Sequence, residues 1–120
     1  MGCTNDEFGN SIQEQVKIKA NAFRCSIKEA IKRQTSQVER FFEDGYIDDK
    51  NKKRLVCSVH SAAVSISMLI EMFENADIQN EFQFKKYVMA ISDAICSFIT
   101  GVTEEINLTV EKSTEADKSI

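Results

Sequence analysis

No proline interrupts the 120 residues, and only four glycines punctuate them. An all-β chain needs many tight turns, and turns draw heavily on these two residues. Long uninterrupted helices meet no such obstacle. The apolar residues repeat accordingly, at steps of three and four rather than two. With 42% apolar residues the chain is too hydrophobic for a wholly disordered segment. Its length suits one domain that folds without disulfide or metal staples.

The spacing predicts three helices. Ile12, Val16, Ala20, Phe23, Ile27, Ala30, Ile31, Val38 and Phe41 fall on one face of a helix running from Ile12 to about Asp44. Ser11 is its expected N-cap, with Glu14 completing a capping box, and Gly45 is its expected stop. The second helix follows Asp48 and Asp49, whose carboxylates suit a helix N-terminus, and ends near Asn75 to Asp77. Its main stripe is Leu55, Val59, Ala62, Ile66, Leu69, Ile70 and Phe73. The third starts after Asp77 or Asn80 and reaches about Lys112, with Phe84, Tyr87, Val88, Ile91, Ile95, Phe98, Ile99, Val102 and Ile106 facing inward. Short connections make consecutive helices antiparallel neighbours. The expected fold is therefore all-α: a single domain of residues 1–120 forming an up-down-up antiparallel three-helix bundle. Residues 1–10 and 113–120 are expected as flexible tails. Long helices joined by short loops bury little core per residue, which favours completion by a partner, including a second copy.

The middle helix carries the most informative stretch. Leu55 to Ile70 is sixteen residues without a formal charge. His60, four serines and the short length speak against a membrane span. Opposite the main stripe lies another, made of Cys57, Ser61, Val64, Met68 and Met72, at steps of four, three, four and four. A helix that is apolar on two opposed sides should be covered on both. Three arrangements do this: the outer helices splay around it, the stripe docks on another chain, or it lines a ligand groove. Methionine suits an adaptable contact surface, and Ser61 and Cys57 permit close helix approach.

Charge is unevenly placed within a net of −4. Ile12 to Arg40 holds seven basic and three acidic residues, whereas Glu71 to Ile120 holds four and ten. Lys17, Arg24, Lys28 and Lys32 form a ridge that could contact an anion, although a solvated helix face is the ordinary reading. Overall acidity and the lack of aromatic residues interleaved with the basic ones count against nucleic acid.

Little suggests catalysis. His60 is the only histidine. It falls level with Asp93 in the expected bundle, but Asp93 points away from the third helix's apolar face. In size, helical class and a histidine within a bundle helix the chain resembles histidine phosphotransfer domains. Their H-x-x-K-G pattern is not met, because His60 is followed by Ser61-Ala62-Ala63-Val64. The likeness stops at class. Phosphate loops, H-E-x-x-H and the E-x-x-H of di-iron bundles are missing. The four cysteines, Cys3, Cys25, Cys57 and Cys96, show no zinc spacing. No catalytic, cofactor or metal site is expected.

With no charged-then-apolar leader at the start, the thiols are expected reduced in a cytoplasmic protein. Gly2 and Cys3 open a dual-acylation signal, but Asp6 stands where that signal wants Ser or Thr. Membrane contact is expected only if those two residues are acylated. The functional expectation is a non-enzymatic protein–protein interaction module, such as a small regulator, adaptor, chaperone or inhibitor. It acts through helix faces and forms a homodimer through the Cys57–Met72 stripe. The alternative is a bundle that binds a small molecule or lipid, and behind it a phosphotransfer-like signalling bundle using His60.

Overall fold

The computed structural model describes the backbone of residues 2–119 and the side chains of residues 12–114. It contains three helices: α1 (Gly2–Glu43), α2 (Asp49–Asn75) and α3 (Glu81–Ser119). Each packs against the other two, which makes an up-down-up three-helix bundle. No strand occurs among the described residues.

Both chain reversals follow from local chemistry. At the end of α1, Gly45 takes a φ of 84°, a left-handed conformation that glycine adopts at no steric cost. The Tyr46 N–H reaches back to the Phe41 carbonyl and the Gly45 N–H to that of Phe42, at 2.9 and 3.1 Å. This is a Schellman closure, and the Phe41 and Tyr46 rings meet edge-on at 6.0 Å across it. Asp48 then caps α2, its carboxylate accepting from the Asn51 N–H at 2.8 Å. At the other reversal, Asn80 Oδ1 accepts from the Gln83 N–H at the start of α3. Each connector also tucks one isoleucine, Ile47 or Ile78, into the core.

Helix ends depart from expectation at the outer termini. α1 begins near residue 2, so the backbone of Ser11 lies within the helix rather than at its start. Of the two glycines upstream, Gly2 stands at the helix start and Gly9, inside it, costs only about 1 kcal/mol, and no proline compels a stop. At the far end α3 continues past Lys112 to Ser119 through residues that include no glycine or proline. The backbone of residues 2–10 and 113–119, read as tails, thus continues the helices, although most of their side chains, those of Gly2 and Cys3 included, lie outside the described residues.

The inward stripes largely match the sequence pattern. Phe73 is fully buried at the upper end, with Phe23, Phe84 and Tyr87 around it at centroid distances of 5.8–6.3 Å. Leu55, Val38 and Ile106 close the lower end. Two positions of α2 are corrected. Ala63 is buried in place of the half-buried Ala62, and Leu69 is exposed. On α3, Tyr87 and Ile99 also reach the surface.

Among the described residues two buried positions are polar, Gln34 and Thr109. Gln34 is 5% exposed, and its amide donates to Thr103 Oγ1 at 3.0 Å and to the Ile99 carbonyl at 3.3 Å. Its Oε1 has no partner.

The molecule is a rod. Its extents are 75 × 20 × 19 Å and its radius of gyration is 19.5 Å, against about 13.6 Å for a compact 120-residue domain. The accessible surface is 8411 Å², where a compact monomer of this mass has about 6,600 Å².

Candidate functional site: the outer face of α2

In a triangular cross-section, α2 has two neighbours on one side and none on the other. Ion pairs fix that orientation. Arg24 of α1 makes a two-pronged bond to Glu74 at the upper end of α2, one prong at 2.9 Å. The hydrogen bonds and charge of Arg24 hold the Glu74 carboxyl below its usual range, against a smaller opposing effect of desolvation. At the lower end, Arg54 donates to Glu105 Oε1 at 2.8 Å and to Thr109 Oγ1 at 2.9 Å, both on α3, and Ser58 joins Glu105 at 3.2 Å. Lys52 reaches Glu39 at 3.6 Å and lies over the Phe42 ring.

The stripe opposite the core is left open. Cys57 and Ser61 are exposed, and Val64, Met68 and Met72 are 59%, 60% and 61% exposed. Splaying of α1 and α3 around both sides of α2 is therefore overturned. Because α1 and α3 also pack on each other, neither can reach around to the back of α2.

Beside this stripe runs a groove of about 630 Å³ between α2 and α3. Its walls are Cys57 and Ser61 on one helix and Ser97 and Gly101 on the other. Buried Phe98 and Val102 lie along its floor, and the Arg54–Glu105 pair bounds one end. A Cβ built on Gly101 would meet nothing within 4 Å. Glycine inside a helix costs about 1 kcal/mol relative to alanine. Nothing in this chain's own packing requires that cost.

The sequence pattern pointed to the α2 stripe, and the groove beside it went unread. The signal was present: Ala90, Ala94, Ser97 and Gly101 step by four, three and four along one line of α3.

By length and composition α2 holds a stretch apolar enough to cross a membrane, a test that the core helix of a soluble protein also passes. Of that stretch 28% is buried, on the side that meets α1 and α3.

The other candidates are distributed as follows. Lys17, Lys28 and Lys32 are exposed along α1, while Arg24, between them, is engaged by Glu74. His60 and Asp93 are both exposed, on α2 and α3. Cys25, Cys57 and Cys96 are free, exposed thiols. Among the described residues, no three His, Cys, Asp or Glu side chains gather into a metal-binding group.

Comparison of the chain with protein-family models, with curated proteins and with solved structures finds no match.

Proposed function

We propose that this protein is a non-enzymatic interaction module that binds another protein chain through the outer face of α2. A small regulator, adaptor, chaperone or inhibitor would work in this way. One observation carries the reading: Val64, Met68 and Met72 stand in line, each about three-fifths exposed, beside a groove of small side chains. Clustered exposed apolar side chains of this kind mark contact sites more often than scattered ones do. Free thiols at Cys25, Cys57 and Cys96 accord with a reducing compartment such as the cytoplasm. The alternative, an apolar ligand held inside the bundle, draws less support, because the residues between the helices are closely buried.

Thiol labelling in intact cells tests the proposal. Cys25, on α1, is the internal control, since both it and Cys57 are exposed in the isolated chain. Shielding of the α2 face makes Cys57 react several-fold more slowly than Cys25 in cells, with comparable rates in dilute purified protein. Equal rates in cells would show the face open, and the proposal would fail.

A further inference from the structure

The proposed contact face has a polarity along its length. The basic residues Lys50, Lys53 and Arg54 precede the sixteen uncharged residues of α2, and Glu71 follows them. α3 runs the other way and carries the opposite signs at the same levels. Glu104 and Glu105 lie at the lower end, where Arg54 meets Glu105. Lys85 and Lys86 lie at the upper end, where Phe73 meets Tyr87. Bulk is graded as well. The lower half of the face offers the small residues Cys57 and Ser61, and the upper half offers Val64, Met68 and Met72.

Resting on that reading of the α2 face, we infer that its occupant is a second copy of this chain, docked antiparallel about a two-fold axis beside Ala62 and Ala63. This register places Cys57 opposite the partner's Met68 and Ser61 opposite the partner's Val64. Each large side chain then enters the other copy's groove between α2 and α3, and Gly101 leaves room for it. Lys53 comes level with the partner's Glu71 on the same edge of the contact, once on each side of the axis. A parallel pairing would set Lys53 on Lys53 and leave bulk facing bulk.

Sedimentation equilibrium of the full chain, with Lys53→Glu, Glu71→Lys and the double variant, tests this. The wild type is expected to dimerise at micromolar concentration. Each single reversal turns two attractions into two repulsions and is expected to raise Kd about tenfold. The double variant restores the pairs and recovers near wild-type affinity. Val64→Lys with Met68→Glu abolishes the dimer while circular dichroism shows the helices intact. A second measurement uses Cys57 as the only cysteine. In the antiparallel register the two copies of Cys57 lie about 16 Å apart along the axis, so oxidant does not join them. Disulfide formation through Cys57, or a double variant weaker than either single one, overturns the register. A chain that stays monomeric to about 100 µM overturns the second copy as occupant, whether or not it pellets with anionic vesicles. The labelling result in cells stands apart from this outcome, because a different protein partner would still shield Cys57.

Discussion

The two faces of α2 are written in the same sequence language and meet different fates. Leu55, Val59, Ile66, Ile70 and Phe73 on one side are buried. Val64, Met68 and Met72 on the other are mostly exposed. Periodicity shows which residues share a direction, but not how many neighbours a helix has. Three helices packed in a triangle shelter one side of each, so a helix with two apolar sides shows where the chain's own packing stops.

Neighbouring residues break or sustain this contrast most sharply. Phe73→Ala removes a ring that touches three others and should cost about 3–5 kcal/mol of stability. Met72→Ala, one residue away on the open side, should stay within about 0.5 kcal/mol in dilute protein. Urea unfolding measures both. Comparable losses would mean that the outer face is already covered within a single chain.

A smaller effect sharpens what burial demands. Gln34 stands in the inward stripe of α1 with its Oε1 unpartnered. Gln34→Leu removes that orphaned acceptor and should raise stability by roughly 1 kcal/mol. A fall in thermal midpoint instead would show that the bonds to Thr103 and Ile99 outweigh it.

The smallest effect lies at the flank of the inner face. Arg24 holds the Glu74 carboxyl below its ordinary value near 4.5, so the pair stabilises the fold above that pH. The contribution fades as acid protonates Glu74. Because Arg24 and Glu74 are 42% and 29% exposed, solvent screening keeps it under about 1 kcal/mol. The stability gap between wild type and Glu74→Gln should therefore shrink as pH falls from neutrality to below 4.5. A gap that ignores pH would remove the pair from the forces orienting α2.

Much of the fold was legible because its signals are local. Gly45 and Asp48 each specify a backbone geometry, and both work as the sequence indicates. Ser11 carried an equally good capping signal but does not start α1, because a cap competes with continuation and the residues before it also accept a helix. Ile47 and Ile78 were unreadable as core, since periodicity says nothing about a side chain in a turn. Gln34 falls in the gap of the stripe between Ile31 and Val38, and its polarity hid it. At the candidate site, the methionine line followed from spacing alone. The groove did not, because it depends on how α3 rotates to bring Ser97 and Gly101 beside Cys57 and Ser61.

The two reversals carry a consequence for cleavage. Each connector is five residues long and is pinned by an isoleucine held under the end of the bundle. A protease must draw a longer extended strand into its cleft, so neither turn offers the slack it needs. Nicks between α1 and α2, or between α2 and α3, therefore record how often the whole bundle comes apart.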